Sequence, residues 1–235
     1  MQTVTIDERF CGPPNSGNGG YSAGLLASAL LGDEQGAVEV TLKAPPPLDE
    51  PLAIRMDCAG AKMLRGDVEI AVARLARLEA DAPPAPTLDE ARAAAARFAG
   101  FERHIYPGCF VCGPAREAGD GLRIFAGPVE GREFVAAPWT PGPDMADDKR
   151  RIRPEFLWAA MDCPSYFAFG DATINALLGR MTAEIYARPE PGAQCIVAAW
   201  PRGREGRKLF AAAALYGAGG ELAAYGETIW IELRN

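Results

Sequence analysis

Residues 15–31 read NSGNGGYSAGLLASALL, a glycine-rich turn that runs directly into a short helix with no charged residue. Asn15, Ser16 and Asn18 are helix-capping types, and the glycines leave the first-turn N–H groups uncovered by side chains. Those N–H groups have no partner within the helix and sit at its positive dipole end, so they suit an oxygen that is gaining negative charge. Apolar or very small residues occur on every side of the helix, which marks it as buried. Two readings follow: an oxyanion site at a bare, donating helix start inside the protein, or a helix–sheet contact tight enough to need small residues.

Around this helix the pattern is of strands. Residues 3–6 make a short strand before it. After it, residues 38–42 and 51–57 alternate apolar and polar about the turn KAPPPLDE, and residues 62–78 supply two further strand-like runs divided at Arg65-Gly66. The composition then shifts to ADAPPAP, a linker, and Thr87 with Glu90 forms a capping box for a short surface helix stopped at Gly100. Turn residues dominate GCFVCGPAREAGDG (108–121). Strands are expected at 121–125 and 132–137. A second apolar helix, PEFLWAAMDC, opens with Pro154 at its first position, and Pro164 is expected to end or kink it. Strands follow at 181–186, 195–200, 208–216 and 221–233.

VEVTLKAPPPLDEPLAIRMD (38–57) aligns with MTAEIYARPEPGAQCIVAAW (181–200): strand, proline-bearing turn, strand, each preceded by an apolar helix and followed by a hairpin. The chain therefore reads as two copies of one α+β unit. The expected organisation is a first unit over 1–80, a linker with a short helix and a CxxC turn over 81–120, and a second unit over 121–235.

Composition limits the functions available. Among 235 residues there are 24 Lys and Arg against 31 Asp and Glu, a net charge of −7 with no basic cluster to offset it, which disfavours nucleic acid as a partner. No run approaches the roughly 18 apolar residues of a membrane span, and MQTVTIDERF lacks the basic start and apolar core of a signal peptide. A cytoplasmic location with no membrane partner is the expectation. Six scattered cysteines fit reduced thiols better than a disulfide framework.

A helix wrapped by a long antiparallel sheet, present twice, resembles the double-hotdog members of the acyl-CoA thioesterase-like superfamily. NGGYSAGLLASAL, RPEFLWAAMDCP and the aligned strand pairs carry the resemblance, which covers nearly the whole chain. In the branch that starts its helix with His-Gly-Gly, the resemblance implies a site shared between paired units. Glycine N–H groups polarise the thioester carbonyl there, and a carboxylate about two turns along the other unit's helix acts as nucleophile or general base. Here Asn18-Gly19-Gly20 matches that start with asparagine replacing histidine, while Ala27 and Ser28 stand where the carboxylate belongs. In the second unit Arg153-Pro154 stands at the start and Asp162 at the carboxylate depth. One composite site of Gly19, Gly20, Asn18 and Asp162 is implied, with its pseudo-symmetric counterpart dead.

Asp162 is informative without the resemblance. Among Phe156, Leu157, Trp158, Met161 and Cys163 an unpartnered carboxylate is costly, and near a helix C-terminus its pKa is expected to rise. The bland alternative is an Asp that turns the backbone at Cys163-Pro164. Asn15, Tyr21, Arg153 and Trp158 are the residues expected to contact substrate. DDKRRIR (147–153) is either a partner for coenzyme A phosphates or a solvated loop.

Other constellations compete. Gly20-Tyr21-Ser22-Ala23-Gly24 has the G-x-S-x-G form of a serine hydrolase, but one strand precedes it and the sole histidine is His104. Cys109-Phe-Val-Cys112 with His104 nearby has the spacing of half a zinc knuckle; no second close pair completes it, and although Cys163, Cys195 or Cys58 could arrive through folding, the expected reading is a turn holding two buried thiols, with no metal. The expected activity is hydrolysis of a small-molecule acyl thioester by carboxylate-assisted water attack. No cofactor is expected, coenzyme A entering as part of the substrate. The alternatives are an acyl-binding hotdog protein without catalysis and, third, a serine hydrolase using Ser22. The two units make a pseudo-dimer within one chain, and a homodimer of chains stays open.

Overall fold

The computed structural model describes residues 2–170 and 172–234. The elements follow as β1 (Gln2–Thr5), α1 (Gly19–Leu31), β2 (Val38–Leu42), β3 (Pro51–Asp57), β4 (Gly60–Arg65), β5 (Val68–Leu75), α2 (Leu88–Ala95), β6 (Gly127–Pro128), β7 (Val135–Trp139), α3 (Pro154–Phe167), β8 (Ala176–Ile185), β9 (Cys195–Glu205), β10 (Lys208–Gly217) and β11 (Leu222–Glu232).

All pairings are antiparallel, and the strands form one 11-stranded sheet in the order β1-β3-β4-β5-β2-β8-β11-β10-β9-β7-β6. The order β1-β3-β4-β5-β2 recurs in reverse as β8-β11-β10-β9-β7, so the two halves have one topology and join along their equivalent strands, β2 and β8. Val38 pairs with Ala183 and Val40 with Met181 across that seam. The sequence alignment of 38–57 with 181–200 superposes β2 on β8 and β3 on β9, so the repeat is a repeat of structure.

α1 packs on β2, β4 and β5, α3 packs on β9, β10 and β11, and the two helices pack on each other. α1 starts where Asn18 Oδ1 accepts the Tyr21 N–H at 2.9 Å and ends at Gly32, whose φ of 58° suits glycine. Tyr21, Ala23, Leu26 and Ala27 on α1 and residues 156–161 on α3 are buried, as all-round apolar helices require. No helix among the described residues is long and apolar enough to cross a membrane.

Three local expectations differ from the structure. Pro164 does not end the second helix, which continues to Phe167; the Ser165 hydroxyl donates to the Asp162 carbonyl at 2.6 Å beside the proline. Asp162 therefore lies more than a turn inside the helix, away from its negative end. Residues 121–125 form no strand, because Arg123 takes a φ of 52°; Leu122 and Ile124 instead donate single backbone bonds to Phe110 and Val111 in the CFVC turn. The segment after residue 80 is more than a tether: behind the expected Thr87–Glu90 capping box, α2 buries Ala91 and Ala94 on the outer face of the second half-sheet, against Ala136, Ile196 and Ala214. The Tyr216 hydroxyl holds the Pro83 carbonyl at 2.6 Å, fixing the proline-rich stretch to that face.

Candidate functional site

The site grows from the crossing of α1 and α3. A Cβ on Gly20 would stand 2.5 Å from Asp162 Cβ and 2.8 Å from the Trp158 carbonyl oxygen, and one on Gly24 would stand 2.5 Å from Glu155 Cα. The helices cross so closely that only glycine fits at either place. The tight-contact reading of the glycine-rich stretch therefore holds, except that the close partner is a helix rather than the sheet.

That crossing sets the carboxylate of the second unit on the helix start of the first. Asp162 Oδ2 accepts the Asn18 Nδ2–H at 2.8 Å and the Gly20 N–H at 3.0 Å. Asn18 thus has two tasks, capping α1 through Oδ1 and holding Asp162 through Nδ2. Asp162 is 1% exposed, and its Oδ1 has no hydrogen-bond partner among the described residues. Burial pushes its pKa up to about 7; the bonds from Gly20 and Asn18 pull the other way, and the neighbouring Cys109 adds to the rise.

Asp162, Asn18 and Gly19 line a cavity of about 260 Å³ whose other walls are mainly apolar, with Leu42, Ile105, Phe167, Leu178 and Trp230 among them. Gly20 donates to the carboxylate, so of the two expected amide donors only Gly19, whose N–H has no partner among the described residues, remains for a ligand.

A second group of side chains stands on the same wall. Cys163, the residue after Asp162, meets the CFVC turn, and the Sγ atoms of Cys109, Cys112 and Cys163 all lie within 4.8 Å of one another. Cys109 and Cys163 sulfurs are 3.6 Å apart, and His104 Nε2 is 3.3 Å from Cys112 Sγ. All three thiols are buried. Hydrogen bonds from Cys112 and Cys163 favour a thiolate at Cys109, while burial holds the Cys112 thiol up.

The structure brings Asn18, Gly19, Gly20 and Asp162 together, but not the residues expected to contact substrate. Asn15 is exposed, with φ of 62°, in the turn before α1. Tyr21 faces the other side of its helix, stacked on Phe10 at 4.2 Å. Trp158 packs on Gly24 in the helix crossing. Arg153 lies over the Phe156 ring at 4.8 Å and reaches Glu155 at 3.5 Å. None of the four lines the cavity. At the pseudo-symmetric position Pro154 offers no N–H, and Phe156 packs with Phe10 and Tyr21, so aromatic rings fill that end. Ser22 is inside α1, its hydroxyl donating to the Asn18 carbonyl at 2.7 Å, with no histidine beside it. In the DDKRRIR segment Asp147 accepts the Arg188 guanidinium at 2.5 Å and Arg151 reaches Glu190 at 3.4 Å, so this loop folds on its neighbours, away from the cavity.

Sequence reasoning missed Lys43, an exposed cation among the lining residues, and did not single out Cys163 from Cys58 and Cys195 as the thiol that reaches the CFVC turn. For Lys43 the only signal was its place just after a strand beside the PPP turn. For Cys163 it was adjacency to Asp162.

No family model and no curated protein sequence matches this chain. Solved structures do. A putative thioesterase II from Thermobifida fusca YX superposes with a TM-score of 0.65 at 15% identity, over 99% of this chain and 92% of that one. The TesB protein of Mycobacterium avium subspecies paratuberculosis gives 0.64 at 12% identity, over 99% and 92%. A conserved protein of unknown function with a hot dog fold from Alicyclobacillus acidocaldarius gives 0.64 at 13%, over 99% and 93%. At these identities the likeness establishes the architecture: this chain is a double hotdog, two hotdog units in one polypeptide.

Proposed function

We propose that this chain hydrolyses small acyl thioesters at the composite site between α1 and α3. The observation that carries the reading is Asp162, a carboxylate from one unit seated on the helix start of the other, with one oxygen fixed by Asn18 and Gly20, the other buried without a hydrogen-bond partner among the described residues, and the residue itself among those lining an apolar cavity. Structural neighbours named as thioesterases support the reaction class.

In this mechanism Asp162 Oδ1 takes a proton from a water molecule as the water oxygen bonds to the thioester carbonyl carbon. The Gly19 N–H faces the carbonyl oxygen as it gains charge. The C–S bond then breaks, and the departing thiolate receives the proton from Asp162. Asn18 positions the carboxylate. The cavity, about 260 Å³ with mainly apolar walls, supports a compact apolar acyl group as the part of the substrate it holds. Lys43, exposed among the lining residues, supports a carrier with a phosphate such as coenzyme A.

A second reading, binding without turnover, draws on a different observation: Gly20 donates to Asp162 instead of standing free. Incubation of the purified protein with coenzyme A thioesters of graded chain length, with thiol release followed by chromatography, separates the two. Turnover that disappears in Asp162→Asn supports hydrolysis. Thermal stabilisation by acyl-CoA with no turnover above that variant supports binding alone.

A further inference from the structure

We propose that Cys109, Cys112 and Cys163 form a three-thiolate site for a zinc-class divalent cation on the cavity wall. The turn supplies two ligands and α3 the third, from 51 residues beyond Cys112 in the chain. Zn–S bonds of about 2.3 Å in a tetrahedron put neighbouring sulfurs about 3.8 Å apart. Cys109 and Cys163 already stand at 3.6 Å, with all three sulfurs inside 4.8 Å. Only small side-chain movements separate this arrangement from a closed ligand set.

The turn is built to aim its sulfurs together. A Cβ on Gly113, directly after Cys112, would stand 2.5 Å from both the Cys109 and the Pro107 carbonyl oxygens, so the chain folds back tightly on itself there. The Cys109 N–H bonds to the Tyr106 carbonyl at 2.9 Å and the Gly113 N–H to the Cys109 carbonyl at 2.9 Å. The other three cysteines stand outside the cluster, Cys58 exposed and Cys11 beside Arg116.

The surroundings suit thiolates. Three of them around a divalent ion carry one excess negative charge, which N–H donors to sulfur relieve. His104 Nδ1 accepts the Tyr106 N–H at 3.0 Å, which leaves the ring proton on Nε2, 3.3 Å from Cys112 Sγ. Asn18 Nδ2 lies 3.8 Å from Cys163 Sγ. His104 and Asn18 are accordingly N–H donors to the ligand sulfurs, and the ion's fourth position belongs to the cavity, which all three cysteines line. Sulfur ligands select zinc or cobalt over magnesium or calcium. Binding releases the thiol protons to solvent and changes no oxidation state. The ion ties the CFVC turn to α3 at the residue after Asp162, whether or not the chain cleaves thioesters.

The test is metal analysis of protein purified without chelator or immobilised-metal chromatography, followed by cobalt(II) titration of the stripped, reduced protein without oxygen. The expected result is one zinc per chain and one cobalt bound per chain, with thiolate-to-cobalt charge-transfer absorption in the near ultraviolet. Cys163→Ser is expected to weaken cobalt binding at least tenfold, and Cys58→Ser and Cys195→Ser to leave it unchanged. A folded wild-type protein with neither stoichiometric metal nor a charge-transfer band overturns the proposal. So does an unreduced mass lower by two hydrogens, from a disulfide within the cluster. If Cys163→Ser fails to fold, the wild-type cobalt spectrum still decides, and no turnover assay enters the result.

Discussion

Replacing Asn18 separates its two tasks. Asn18→Ser keeps a hydroxyl that caps a helix about as well as asparagine does, but removes the Nδ2–H that reaches Asp162 at 2.8 Å. A hydrogen bond to a charged group contributes about 1.5–3 kcal/mol, and the buried acceptor keeps only the Gly20 N–H, so the serine variant should lose that much. Asn18→Ala loses the cap as well, about 1 kcal/mol more, for a total of about 2.5–4 kcal/mol. Urea unfolding of wild type, both variants, Asp162→Ala and the Asn18→Ser/Asp162→Ala double variant gives the coupling between the two side chains directly. The geometry requires a coupling above about 1 kcal/mol, as for groups in direct contact. A serine variant within about 0.5 kcal/mol of wild type, or additive single and double variants, would refute the placement of Asn18 on the carboxylate.

Other substitutions probe the surrounding structure. Gly24→Ala drives a methyl to 2.5 Å from Glu155 Cα and should cost about 1–3 kcal/mol by forcing α1 and α3 apart, read as a lower urea midpoint. Ser165→Ala leaves the buried Trp230 indole N–H, now 2.8 Å from the hydroxyl, without its acceptor; a loss of about 1–3 kcal/mol and altered tryptophan fluorescence are expected. Thr87→Ala breaks the α2 capping box and should cost about 1 kcal/mol by the same unfolding measurement, with the α1–α3 site unaffected. If the three-thiolate site holds zinc, stripping it with a chelator should lower the melting temperature, and restoring zinc but not magnesium should recover it.

Much of the architecture was legible because it is written in local pattern. Asn18 before a glycine pair marks a helix start, Pro154 marks another, and the matched strand-turn-strand segments at 38–57 and 181–200 foretell the pseudo-symmetry. The meeting of Asp162 with the Asn18 turn was legible only through the resemblance to paired hotdog units, since 142 residues separate Gly20 from Asp162. The direction of side chains was not legible. Tyr21 adjoins Gly20 in sequence, yet the helical turn carries its ring to Phe10 and away from the cavity. Pro164 was misleading as an end signal because it removes a single N–H from the ladder while burial of α3 on nearly every side carries the helix on to Phe167. The CFVC turn was visible, but which of Cys58, Cys163 and Cys195 would meet it was not, because a contact across 54 residues between Cys109 and Cys163 leaves no spacing signal.

The site itself is tested most directly by a crystal structure with a short acyl-CoA analogue in which a methylene-linked ketone replaces the cleavable thioester. The account predicts the acyl group in the apolar cavity, the carbonyl oxygen within hydrogen-bond distance of the Gly19 N–H, and a water between Asp162 Oδ1 and the carbonyl carbon. An analogue bound elsewhere, or one whose carbonyl points away from both Gly19 and Asp162, would contradict it.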